Sequence, residues 1–214
     1  STAPKVWNTN DTGEPGDTRL SPTGKTPIHF YDGADRRMTG TTNITSTNQT
    51  LEFVFQKDWN SGSANFWSAH RAADTNKNIF FGADLSSERY RPLVAYNGGT
   101  GAFVKPYDTR AIGVLVLKWT SASSVTIKYD DANATTADLS AAFASGALDT
   151  LTFGGTVYGG GQRVKFFSYA HWTRSTSDAE DTARFKAYQD LFGIPYKVDV
   201  TTAPSSLYAN TILI

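Results

Sequence analysis

The chain contains no cysteine. That excludes a disulfide framework, a thiolate metal site and a cysteine nucleophile. It has no surplus of either charge, because 20 basic and 20 acidic residues cancel. No basic stripe follows a nucleic-acid backbone and no polybasic run suits an anionic membrane, so neither is expected as a partner. Near-zero net charge gives little repulsion against association, which suits a subunit of an assembly. No apolar run approaches the roughly 20 residues of a membrane-spanning helix. The opening STAPKVWNTN lacks a charged region followed by an apolar one, so no signal peptide is read there. It suits a chain that lost an initiator Met before a small Ser and was made in a cytoplasm.

Catalytic and metal signatures are missing as well. There is no Gly-x-Ser-x-Gly elbow. His29, His70 and His171 have no HxH or HxxxH spacing and read as packing or surface residues rather than zinc ligands. No DxDxDG loop is present. SPTGKT at 21–26 resembles the end of a phosphate-binding loop, but the glycine required at position 19 is Arg19 and no strand precedes it. The N-x-T sequons at Asn10, Asn43, Asn48 and Asn133 are chance matches in a Thr/Asn-rich chain.

What is present is enough for one sizeable β domain: 214 residues, 39% hydrophobic and 13% aromatic. Ala111–Trp119 is almost unbroken apolar, with β-branched Ile112, Val114 and Val116. It is too short for a stable lone helix and reads as a strand covered on both faces. Thr120–Ser124 suits a turn, and Val125, Ile127 and Tyr129 then alternate with polar residues as a half-wet strand. The pair makes a hairpin whose first arm needs cover from both sides.

Further strands are expected at Ile28–Tyr31, at 51–56 (LEFVFQ), at Ala64–His70 and at Asn78–Ala83, the last two joined by the polar AADTNK. Others follow at Arg91–Tyr96, Ala102–Pro106, Leu151–Gly154 and Arg163–Trp172, with a helical turn at Leu139–Phe143. About nine to eleven strands at such spacing argue for a sandwich or barrel. No strand–helix alternation and no fixed repeat is visible.

One helix is predicted, over Asp178–Phe192. Ser177 and Glu180 form a capping box, Gly193 suits a left-handed cap and Pro195 prevents continuation. Phe185, Tyr188 and Phe192 recur at helical spacing, and Leu191 is read as widening that stripe. Residues 1–27, rich in Pro and Gly, read as an extended arm with Val6 and Trp7 as anchors. Residues 28–195 read as the sandwich. Residues 196–214 read as a tail with a possible strand at Tyr196–Val200, ending in Ile212, Leu213 and Ile214, which dock on the sandwich or on a partner subunit.

The order of the second half resembles a known family. A strand ending Leu117-Lys118-Trp119 leads to Ile127-Lys128-Tyr129-Asp130, then Leu151-Thr152-Phe153-Gly154-Gly155, then Val164–Trp172, then a helix closing on Phe192-Gly193-Ile194. This resembles the concanavalin A-like, laminin G-like jelly rolls. Asp131-Ala132 stands where the family usually has Asn/Asp-Gly. The resemblance implies an all-β, antiparallel two-sheet jelly-roll sandwich. It also implies lectin-like modules, glycan-active enzymes or bacteriophage appendages as settings.

Within that family, hydrolases carry Glu-x-Asp-x-Glu on one strand, and this chain has no such run. Lyases of this fold carry Arg-x-Glu-x-Arg and Gln-x-His, whereas Glu88-Arg89-Tyr90-Arg91 has another spacing and no Gln-x-His occurs. Calcium at a sheet rim would have to use Asp84 and Glu88, or Asp130 and Asp131; no cofactor is otherwise expected. Sugar binding needs aromatic platforms beside planar polar groups, and Trp59, Trp67, Tyr96 and Tyr107, with Arg71 and Asn97, are the candidates. Trp119 and Trp172 read as core. The expected protein is therefore not an enzyme but a lectin-like structural or adhesion subunit of a virion, as capsid decoration, head fibre or tail appendage. Its partners would be other subunits, in a homo-oligomer, and possibly surface polysaccharide. A free carbohydrate-binding module, or a polysaccharide lyase or hydrolase, is the alternative.

Overall fold

The computed structural model describes residues 28–30, 37–57, 64–84, 91–96, 102–103, 112–121, 124–130, 135–156 and 164–194. The strands are β1 (Ile28–Phe30), β2 (Met38–Ile44), β3 (Gln49–Lys57), β4 (Ala64–Arg71), β5 (Asp74–Asp84) and β6 (Arg91–Tyr96). They continue as β7 (Ala102–Phe103), β8 (Gly113–Ser121), β9 (Ser124–Tyr129), β10 (Thr135–Ala137), β11 (Leu148–Phe153) and β12 (Val164–Trp172). A 3-10 turn covers Ser140–Phe143, and α1 spans Asp178–Phe192. Two six-stranded sheets result, β1-β12-β3-β8-β9-β10 and β2-β11-β4-β5-β6-β7, with every pairing antiparallel.

Alternation along each strand builds the core between the sheets. Leu51, Phe53 and Phe55 of β3 and Leu115, Leu117 and Trp119 of β8 point inward from the first sheet. Trp67, Ile79, Phe81 and Phe153 meet them from the second. Phe53 lies edge-on to Trp67 at 4.9 Å and to Phe81 at 4.6 Å, geometry worth about 0.5–1.5 kcal/mol per pair beyond the area buried. Gly113 is required beside this layer, since a Cβ there would lie 2.0 Å from the Tyr129 hydroxyl oxygen.

The ribbon read at 111–119 is β8, and from Ile112 through Trp119 it is buried on both faces. Its inner residues join the core. Its outer residues, Val114 and Val116, join Val54, Ile112, Phe192 and Ile194, with Phe167, Phe185 and Tyr188 packed alongside. The second cover is therefore α1. The helix starts on the predicted capping box and ends on Gly193 at φ 67°, the left-handed region that glycine occupies without a Cβ clash.

Leu191 does not widen the stripe: it is 43% exposed. At about 100° per residue it falls about 100° from Phe192, outside the contact arc. Asp181 and Gln189 fall inside that arc and are buried instead.

Asp181 is the centre of an ion network between α1 and the first sheet. Its oxygens lie 2.5 Å from Lys118 Nζ and 2.5 Å from Arg184 Nη2, and the Thr176 hydroxyl donates to it at 2.5 Å. Arg184 Nε donates to Glu52 Oε2 at 3.0 Å, and its guanidinium lies 4.3 Å from the Trp172 ring centre. Trp172, read as core, is thus half-buried under a cation rather than inside the sandwich. Burial works to lower the Lys118 ammonium pKa, but Asp181 and Asp178 hold it above its ordinary value.

Other boundaries move. β2 and β10 were not expected, because MTGTTNI and TTA carry little apolar alternation. AADTNK is mostly strand, with the turn confined to Ala72 and Ala73, and Thr120, Ser121 and Ser124 extend the hairpin strands. Twelve described strands replace the expected nine to eleven. The proposed arm (1–27), the tail (196–214) and the strand at Tyr196–Val200 lie outside the described residues.

Candidate functional site: a buried polar floor on the second sheet

The face of the second sheet opposite the core follows from register. Trp67 and Ala69 are core residues, so Ser68 and His70 between and beyond them point the other way. Thr150 pairs with His70 and Thr152 with Ser68 across β11; Asn78 pairs with His70 and Phe80 with Ser68 across β5. On the edge strand Thr41 pairs with Thr150 and Thr39 with Thr152. Partners in register share a face. The outer face is therefore carpeted with Thr, Ser, His and Asn.

Exposure falls from the edge inward. Thr39 and Thr41 are exposed and Thr150 is half-buried. Thr152 and Ser68 are only 1% exposed, Asn78 1% and His70 6%, while Phe80 beyond them is half-buried again. The middle of this outer face is thus a buried polar floor. On that floor Ser68 Oγ and His70 Nδ1 are buried and have no hydrogen-bond partner. An unmet polar atom in such a place costs about 1–3 kcal/mol.

Two opposite charges flank the floor. Asp149, at the start of β11, accepts from the Ala72 backbone N–H at 2.8 Å and from the Thr150 hydroxyl at 2.9 Å. The Ala72 bond leads in holding its carboxyl below the usual range. Arg37, just before β2, donates from Nη1 to the Thr156 carbonyl beside the end of β11. Burial lowers the His70 pKa; Asp149 opposes that and Arg37 adds to it, so the imidazole is neutral at neutral pH.

The sequence-predicted residues are largely elsewhere. Trp67 is corrected from platform to core: it is fully buried, 4.9 Å from Phe53 and 5.9 Å from Phe81, on the inner face of β4. Arg71 closes β4 and donates Nε and Nη2 to the Ala147 carbonyl at 3.3 Å each. Tyr96 ends β6 opposite Ile79 in the backbone register, and its side chain is outside what is described. Trp59, Asn97 and Tyr107 lie outside the described residues, as do Val6, Trp7, Ile212, Leu213 and Ile214. Asp130, one calcium candidate, is committed to the hairpin: Val114 N–H donates to its Oδ1 at 2.8 Å, and its own N–H donates back to Val114 O at 2.7 Å. Among the described residues no cluster of three metal-ligating side chains occurs. His70, expected as a packing or surface residue, and Ser68, which no aromatic signal marks, share the outward face that the alternation of β4 sets.

No protein-family model matches the chain, and no curated protein matches it. Solved structures do. The ligand-binding domain of botulinum neurotoxin serotype D, solved with N-acetylneuraminic acid, superposes at a TM-score of 0.58 with 7% identity, over 86% of this chain and 49% of that one. Trypanosoma rangeli sialidase, solved with 2,3-difluorosialic acid, gives 0.57 with 11% identity, over 78% of this chain and 28% of that one. The binding domain of botulinum neurotoxin DC, solved with rat synaptotagmin II, gives 0.57 with 12% identity, over 81% and 46%. The chain thus spans half or less of the length of these proteins. With the two antiparallel sheets and single late helix, the likeness defines the class: a jelly-roll β-sandwich. At such identities it defines the fold and nothing finer.

Proposed function

We propose that this jelly roll is a non-enzymatic, lectin-like subunit of a larger assembly that binds glycan over the polar outer face of its second sheet. The observation that carries the reading is the buried polar floor on which Ser68 Oγ and His70 Nδ1 lack partners. Sugars present closely spaced hydroxyls that both donate and accept, a match for an unpaired hydroxyl and imidazole nitrogen. The sialic-acid ligands of two fold neighbours support a glycan as the class. Against hydrolysis stands the sequence, which has no Glu-x-Asp-x-Glu run, whereas acid–base cleavage of a glycoside uses two carboxylates.

The assembly is a bacteriophage virion in this reading, with the chain as capsid decoration, head fibre or tail appendage and its terminal segments meeting other copies or subunits. The Pro/Gly-rich segment 1–27 and the near-zero net charge support that setting. A glycan array with the intact protein, alongside sedimentation velocity, tests both parts. Binding to a defined glycan set with no release of sugar, by an oligomer, is expected. A monomer that cleaves polysaccharide would overturn the reading.

A further inference from the structure

The two hydrophobic clusters of the chain do not overlap. The larger one, between the sheets, contains no residue of α1. The smaller one lies on the outer face of the first sheet, where Val54, Val114 and Val116 meet Phe185, Tyr188 and Phe192. We infer that α1 is a hinged cover, which lifts off the first sheet as one unit while the two-sheet sandwich stays folded. This motion is independent of whether the second sheet binds glycan.

The bonding of the joint allows it. Neighbouring strands are held by backbone ladders. The polar contacts described between α1 and the first sheet run through side chains alone, from Lys118 to Asp178 and Asp181 and from Arg184 to Glu52. These contacts part without breaking a ladder, which is how a separate cooperative unit opens.

The packing of the joint is incomplete. A cavity of about 60 Å³ lies within it, lined by Val114, Val116, Lys128 and Asp130 on the sheet and by Thr182 and Phe185 on the helix. Atoms that face a void lose the contacts a filled interface would give them. Glu52 Oε1, in the same joint, is buried and unmet, and it gains water when the helix lifts.

The position of the hinge is fixed by the segment before the helix. The Thr50 hydroxyl donates to the Arg174 carbonyl at 3.1 Å and accepts from the Thr176 N–H at 3.0 Å. The Ser175 hydroxyl donates to the Trp119 carbonyl at 2.5 Å. These bonds hold residues 174–176 to β3 and β8, so the pivot falls at Ser177, the extended N-cap at ψ 159°. A lone helix of 15 residues is marginal in water, so α1 unwinds once lifted and its amides open to exchange.

Hydrogen–deuterium exchange of the intact protein at pH 7.5, read by mass spectrometry in zero to low urea, tests this. Amides of α1 are expected to exchange at least about tenfold faster than those of β3 and β8, and with a weaker urea dependence, because lifting exposes less surface than unfolding. Phe81→Leu lies in the inter-sheet core, apart from the joint. It is expected to speed exchange in β3 and β8 and to leave α1 unchanged, because lifting does not open that core. Equal rates and equal urea slopes for α1 and the strands would overturn the inference. So would α1 accelerating together with the strands in Phe81→Leu. If that variant does not fold, the urea slopes of the parent protein decide.

Discussion

The outer faces of the two sheets both bury polar side chains, and they treat them in opposite ways. On the first sheet Lys118 and Glu52 meet Asp178, Asp181 and Arg184, and all but one Glu52 oxygen is matched. On the second, Ser68 and His70 are as deeply buried, and each leaves an atom unmet. A polar face that a helix has closed is a structural joint. A polar face with unmet atoms has room in its bonding for something from outside. The same fold thus closes one outer face with ion pairs to a helix and leaves neutral polar groups unpaired on the other, although Glu52 Oε1 on the first is unmet too.

That contrast is open to attack by mutation. The largest effect is expected for Asp181→Ala, which removes the buried anion between Lys118 and Arg184 and leaves them only Asp178 and Glu52; unfolding in urea should show a loss of about 3 kcal/mol. Gly113→Ala should cost about 1–3 kcal/mol, because the new Cβ meets the Tyr129 hydroxyl at 2.0 Å and the ring must move. Ser177→Ala removes the α1 cap and should cost about 1 kcal/mol, read in the same titration.

Acid should act on both faces in two steps. Burial holds the His70 and His171 pKa values below 6.5 in the folded chain, so unfolding takes up protons and stability falls as pH drops below 6.5. Asp149, Asp178 and Glu180 are depressed by their hydrogen bonds, Glu180 by Arg174 first and to about 2. Their contribution is present above the ordinary carboxylate range and is lost as pH falls through the folded values. Thermal melts of a His70→Gln/His171→Gln variant should lack the first step and keep the second. The smallest effect is expected for Ser68→Ala: stability within about 0.5 kcal/mol of the parent, or higher, since an unmet buried hydroxyl is removed. A loss of several kcal/mol there would make the second face a joint like the first.

Legibility differed between elements for local reasons. α1 was readable to the residue because a capping box and a left-handed glycine are signals of the chain itself. β3 and β8 were readable because their apolar spacing is strong. β2 and β10 were not, since an edge strand of Thr, Asn and Gly has no periodicity to show. Leu191 was misplaced because the contact arc of α1 accepts Asp181 and Gln189, and an aspartate in a buried stripe makes sense only once Lys118 is known to lie across from it. Trp67 was misassigned for a related reason: a tryptophan after a polar turn suits a platform or a core, and only the phase of β4 against β11 and β5 decides.

The chain's own pattern determined the all-β class, the buried hairpin at 113–129 and the late helix, because strand alternation and helix caps act over a few residues. Which face of each strand is covered, and by what, was decided by tertiary structure alone. Pairing β4 with β11 and β5 is what gathers Ser68, His70, Thr150, Thr152 and Asn78 onto one floor, from strands up to about eighty residues apart in sequence. Burial and unmet bonding belong to that gathering, and no single segment carries them.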